Sequence, residues 1–257
     1  MLNQAFQSFI PGGIYAFMLV FARIGALVML IPGIGESYVS TRIRLALALL
    51  VAGLIAPNVA TLLPALPGEP FTILVQLVAE TGVGLFIGGM ARMMLSSLQI
   101  AGSLIATQSG LAAAQFFDPS QGSQTAAIAA LLNFFGIILI FATDTHLLLF
   151  RSALDSYTMF PPGTLPLLGD FANQASQQLG ASFRVGVQMS APFVVYGLVF
   201  NVGLGLLQRL MPSLQVFFIA QPAQIALAFM LLAVSIGGAG MWFLDHFEAS
   251  IAVLNRT

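Results

Sequence analysis

The stretch GGIYAFMLVFARIGALVMLI, residues 12–31, decides what kind of fold this chain can have. It matches the ~20 apolar residues that a membrane-spanning helix needs. Its one charge, Arg23, stands in its middle. An arginine at the bilayer centre costs at least about 2.5–3.5 kcal/mol. Arg23 therefore faces a protein partner or water, or the helix does not lie at bilayer depth. A buried structural ion pair and a functional charge are both open readings.

The rest of the chain has the same character. Of 257 residues, 58% are hydrophobic and only 7% charged, against about 25% charged in an ordinary soluble domain. Mean hydropathy is +0.97. This composition marks an integral membrane protein, and its length suits one domain covering 1–257. There is no cysteine, which excludes disulfides and thiolate metal sites. The net charge of −1 gives no sign of a nucleic-acid partner. The opening MLNQAFQSFIPGG carries no basic residue and no evident cleavage site, so the first apolar segment is expected to be retained.

Working outward, Pro32, Gly33 and Gly35 end the first segment, and Arg42 and Arg44 open a second at 43–63, interrupted by Pro57. The proline-rich 64–70 is a linker. A third segment, 71–90, holds Glu80 in its middle, as the first holds Arg23. Glu80 reads as a proton carrier or as a buried partner, for which Arg23 is the obvious candidate. Gly84 and Gly88 form a G-xxx-G that lets another helix approach closely. After Arg92, the residues Ser96, Gln99, Ser103, Thr107 and Gly110 recur at i, i+3, i+7, i+11 and i+14, one stripe on a helix. Leu98, Ala101, Leu104 and Ile105 fall on the far side. An uncharged polar stripe suits a wet passage or polar glue between helices.

The following GLAAAQFFDP, 110–119, is a break with two bulky aromatics, since Asp118 before Pro119 disfavours helix. The apolar run 126–150 holds Asn133, Asp144 and His146. After a second break at 161–166, residues 170–189 read as an amphipathic helix. The stretch 190–210 is apolar, with Gly197, Asn201 and Gly205 at four-residue steps. The 209–222 region reads as a re-entrant turn between two prolines, and 223–244 closes the apolar core. The expectation is an all-α, multi-helix membrane-associated bundle with broken helices, tolerated where neighbours or water satisfy the backbone.

Taken together, Arg23 with 32-PGIG-35, Arg42 and Arg44; Gly110 with the Gln115-Phe116-Phe117-Asp118-Pro119 turn; Thr145-His146 with Ser156 and 160-FPPG-163; and Arg209, Pro212, Gln215, Val216, Phe217 and Pro222 occur in an order and spacing that resembles the FliR family of flagellar and type III secretion export-gate proteins. The resemblance runs from about residue 17 to about 244. It implies a chain whose helices resemble a fused FliP and FliQ, in a helical, conical gate where five FliP and four FliQ subunits accompany one FliR copy. Much of such a gate is raised out of the bilayer plane. FlhB wraps its entrance and FlhA forms the adjoining ring. The implied function is a gated conduit for unfolded flagellar export substrates across the bacterial inner membrane at the flagellar basal body, with no enzymatic activity and no cofactor. By position, Gly110, Leu111, Ala112, Ala113, Ala114, Gln115, Phe116 and Phe117 match the loop that plugs the closed pore.

Two other classes can be weighed on the residues. A secondary transporter would use Glu80 and Arg23 and helices broken near Pro57 and Pro212, but the two halves show no convincing repeat. An intramembrane enzyme lacks its parts: there is no H-E-x-x-H, no cysteine and no convincing Ser/His dyad.

Overall fold

A computed structural model of the chain describes residues 2–111, 123–164, 168–211 and 216–252. All regular structure among them is helical. The elements are α1 (Leu2–Leu30), α2 (Thr41–Val59, extended by a 3₁₀ turn Ala60–Leu62), α3 (Pro70–Gln108), α4 (Ser123–Ala142), α5 (His146–Met159), α6 (Leu168–Leu210) and α7 (Val216–Ala252). Among the described residues, five helices are long and apolar enough to cross a membrane, or six if the broken pair Ala127–Ala142 and His146–Met159 is one span.

The segment boundaries differ from the sequence reading in instructive ways. The third apolar segment and the polar stripe are one helix, α3, which runs through Arg92 without a break. Arg92 does not stop it because its side chain lies outward, 43% exposed, with Glu36 at 3.5 Å. The amphipathic 170–189 and the apolar 190–210 likewise merge into α6, and Pro222 lies within α7. Pro57 lies within α2, which continues to Val59 before tightening into the 3₁₀ turn. Conversely, the run 126–150 is broken between α4 and α5 at Asp144, whose φ of 57° is left-handed. Aspartate is among the few non-glycine residues that tolerate this region. The amides of Leu147 and Leu148 then donate to the carbonyls of Asp144 and Thr145 and start α5.

The chain divides into two compact units. The first comprises Met1–Met94, Thr143–Leu179 and Phe247–Thr257. Leu19, Val20, Ile24, Leu27 and Val28 form the buried stripe of α1, with Ile31 just beyond its end, and Arg23 falls on the same face. Ala79, Val83, Ile87 and Ala91 do the same on α3, with Glu80 among them. The G-xxx-G is where these two helices meet. A Cβ on Gly84 would run into the Arg23 carbonyl oxygen, and one on Gly88 would come within 2.8 Å of the Leu30 Cβ. The start of α6 docks through Phe171, which stacks on Phe86 at 4.0 Å between centroids and meets Phe160 edge-on at 5.2 Å.

The second unit comprises Leu95–Ala142 and Gly180–His246. Leu98 and Ile105 of α3, Leu132 of α4, Phe193 of α6 and Leu232 of α7 line one apolar cavity in its core. Small residues again set the approaches. Gly102 lies against the Ala129 backbone, and Gly186 faces the Ser97 carbonyl, where a Cβ would stand 2.7 Å away.

The close approach of α1 to α3 gives a direct test. Gly84→Ala should destabilise the protein by about 1–3 kcal/mol, the usual cost of overpacking. Gly89→Ala, in open space on the same helix, should be neutral or slightly stabilising, because alanine is the better helix former. Thermal unfolding of the two variants in one detergent separates these outcomes.

Candidate functional site

The first unit is built around a buried polar node. Arg23 and Glu80 are each only 1% exposed, and the Arg23 Nε donates to Glu80 Oε2 at 2.7 Å. Nη1 of Arg23 donates to Ser156 Oγ at 3.0 Å, and Nη2 to the Phe160 carbonyl at 3.0 Å. The guanidinium lies 4.1 Å above the centroid of the Tyr157 ring, a cation–π contact strengthened by burial. The other carboxylate oxygen, Oε1, accepts the Gly163 amide at 3.1 Å. Gly163 has φ of 81°, a left-handed turn residue after Pro161-Pro162. A Cβ there would press on the Gln76 side chain at 2.9 Å, and Gln76 in turn accepts the Tyr15 hydroxyl. The Ser156 hydroxyl in turn donates to the Ala153 carbonyl at 2.7 Å.

The chemistry of this arrangement is retention. Burying two charges is costly even when they pair, and removing one partner leaves the other uncompensated. Each charge here is held from several sides, by residues on α1, α3, α5 and the turn that follows α5. Both Glu80 oxygens are engaged. The apolar face of Tyr157 shields the guanidinium, while the Tyr157 hydroxyl is buried with no partner among the described residues.

A second polar cluster, in the second unit, holds the end of α3. Gln108 is the last residue of that helix, and its carbonyl is one that a helix leaves without an internal partner. The buried Gln224 of α7 donates to it through Nε2 at 3.1 Å. Tyr196 of α6 donates its hydroxyl to the Gln224 carbonyl at 2.6 Å. Gln221 Nε2 reaches the Gly110 carbonyl at 3.5 Å. Gly110 itself has φ of 78° and lies beneath the Gln224 amide, where a Cβ would meet Oε1 at 2.9 Å. Gly197, the first of the four-residue steps, packs on the Gln108 side chain, whereas Gly205 faces open space.

The polar stripe lies on the open face of α3. Gln99, Ser103 and Thr107 are exposed and Ser96 is half-buried, while Leu98, Ala101 and Ile105 opposite are buried. The hydroxyls of Ser103 and Thr107 fold back onto the Ile100 and Ser103 carbonyls, each at 2.8 Å. Of the eight residues expected in a plug loop, Gly110 and Leu111 are described; Ala112, Ala113, Ala114, Gln115, Phe116 and Phe117 lie outside the described residues. Among the described residues no three His, Asp or Glu side chains gather as a metal ion would require.

The sequence reading named both members of the ion pair. It had no role for Tyr157 in the node and did not find the Gln108–Gln221–Gln224–Tyr196 cluster. The available signal was two glutamines three apart around Pro222, in an otherwise apolar run.

Comparison with known proteins gives these features a context. The family described as "Bacterial export proteins, family 1" matches residues 14–250. The chain belongs to that family. It is 39% identical over 235 residues to the flagellar biosynthetic protein FliR of Caulobacter vibrioides, covering 91% of this chain and 94% of that protein. It is 32% identical to FliR of Bacillus subtilis, covering 85% of each. It is also similar to Yop proteins translocation protein T of Yersinia pestis, at 29% over 72% of this chain and 74% of that one. The FliR resemblance and this family are the same. The matched residues include both polar clusters.

Two measurements probe these clusters. Arg23→Ala and Glu80→Ala should each cost about 3–5 kcal/mol, lowering the yield of folded protein. The double variant should lose clearly less than the sum, since neither charge is then stranded. Gln224→Leu should leave the Gln108 carbonyl without its donor and speed hydrogen–deuterium exchange at the amides of Ser109 and Gly110, with the core of α3 unchanged.

Proposed function

We propose that this chain is the FliR-type subunit of a flagellar type III protein export gate. In this reading it joins FliP and FliQ in a gated conduit that carries unfolded export substrates across the bacterial inner membrane. FlhB and FlhA-like components adjoin it, and the chain works in the flagellar basal body as one gate domain without catalysing a reaction. The observation that carries the proposal is the family match over residues 14–250, joined to FliR similarity along 94% of the Caulobacter protein. The two flagellar proteins quoted above match 91% and 85% of the chain, against 72% for the translocation protein of Yersinia, which favours a flagellar role.

Helix length supports a place in a larger assembly. At about 1.5 Å per residue, α3, α6 and α7, with 39, 43 and 37 residues, each exceed a hydrocarbon core of about 30 Å by well over half. Their ends need water or partner chains, as in a gate raised out of the bilayer and built from FliP- and FliQ-like helical hairpins. The exposed Gln99, Ser103 and Thr107 suit a passage lining, with Ser96 at its edge. The glutamine cluster gives the 110–117 segment a fixed base from which to plug that passage. Glu80, with both oxygens engaged, suits a structural pin better than the proton carrier that a secondary transporter would need.

Deletion of 110–117 tests the reading. The variant gate should assemble and become permeable to small ions and solutes at rest. Unchanged leakage together with unchanged export would overturn the plug assignment.

A further inference from the structure

The turn between α1 and α2 gathers three of the chain's eight basic residues. Arg42 and Arg44 stand in the first turn of α2, and Arg92 reaches the same turn from α3 through Glu36. Arg44 extends back to α1, where Nη1 contacts the Met29 sulfur at 3.8 Å. Its Nε is buried without a hydrogen-bond partner among the described residues. Arg42 is exposed, and no carboxylate pairs with it among the described residues. The Arg92–Glu36 contact is long and solvent-facing, a geometry worth little. Three arginines thus stand in or beside a turn whose one carboxylate, Glu36, contacts only Arg92 among the ion pairs of the described residues.

An apolar surface of defined length begins at the same place. Thr41–Leu62 is 22 residues long, about 33 Å at 1.5 Å per residue, close to the hydrocarbon thickness of a bilayer. In this it differs from the overlong α3, α6 and α7. One face of α2, with Ala48, Ala52, Ile55 and Val59, is buried. The rest of its surface is apolar and open: Ile43, Leu50 and Leu54 are 61%, 68% and 74% exposed. Asn58, the one polar side chain between Arg44 and Val59, is exposed and folds back onto the Leu54 carbonyl at 3.3 Å. All the basic charge of this helix therefore stands at one end, and its other end leads only to Glu69.

We propose that the α1–α2 turn binds the headgroup of an anionic phospholipid, with Arg42, Arg44 and Arg92 meeting its phosphate and the open face of α2 receiving its acyl chains. Guanidinium groups bond phosphate oxygens in pairs. The excess positive charge selects an anionic over a zwitterionic headgroup. The bilayer-length apolar face below selects a lipid over a soluble anion. This site lies outside both polar clusters and stands independently of the gate assignment.

The test uses the full chain in neutral detergent, supplied with equal phosphatidylglycerol and phosphatidylcholine of matched acyl chains, with retained lipid counted by native mass spectrometry. The wild type should retain phosphatidylglycerol preferentially. R42Q/R44Q should lower that retention about tenfold, and R151Q, at an exposed arginine elsewhere in the same unit, should not. The single R42Q, at a fully solvent-facing position, should show a partial loss if the double variant fails to fold. Equal retention of the two lipids by the wild type, or unchanged retention in R42Q, would overturn the proposal. Displacement of the lipid by inorganic phosphate alone would assign the site to a soluble anion and overturn it. Displacement by poly-glutamate at equal charge would do the same in favour of an acidic protein segment.

Discussion

The first unit depends on a single buried contact, the 2.7 Å bond between Arg23 and Glu80. Neither charge can stand alone among the leucines and isoleucines around it, so the position of each helix is tied to that of the other. The tie is specific in a way that apolar packing is not. A leucine stripe tolerates a shifted register, whereas a guanidinium with donors fixed on Glu80, Ser156 and Phe160 does not. Gly84 belongs to the same constraint. It lies against the backbone of Arg23 itself, so the small residue sets the separation at which the charges meet. A buried, many-sided charge contact thus fixes the register of these helices.

The second unit reaches the same end by neutral means. There the helices meet at glycines, and the end of α3 is fastened by amide side chains rather than by charge. A glutamine that bonds a terminal carbonyl can be released by local movement at less cost than an ion pair can be separated in apolar surroundings. This contrast separates the two units: charge fastens the helices of the first, and amide side chains fasten the end of α3 in the second.

The parts of this structure legible in sequence were those governed by cost. An arginine and a glutamate inside apolar runs demand compensation, and that demand marks Arg23 and Glu80 without any coordinates. The G-xxx-G at 84 and 88 was legible as a close approach for the same kind of reason. Helix boundaries were less so. Arg92 looks like the end of a segment, yet a long side chain can carry its charge outward while the helix continues. The break at Asp144 carries no proline or glycine to announce it. Gln224 was silent because a glutamine in an apolar run means little until the carbonyl it meets, 116 residues away in the chain, is known.

In the proposed function this chain is a subunit of a multi-component export gate rather than a transporter complete in itself. The most direct measurement is the mass of the intact complex purified from its own membrane through a tag on this chain. One copy of the chain with five FliP-type and four FliQ-type subunits is the expected result. Recovery of the chain alone, or as a homo-oligomer that moves solutes when reconstituted, would contradict it.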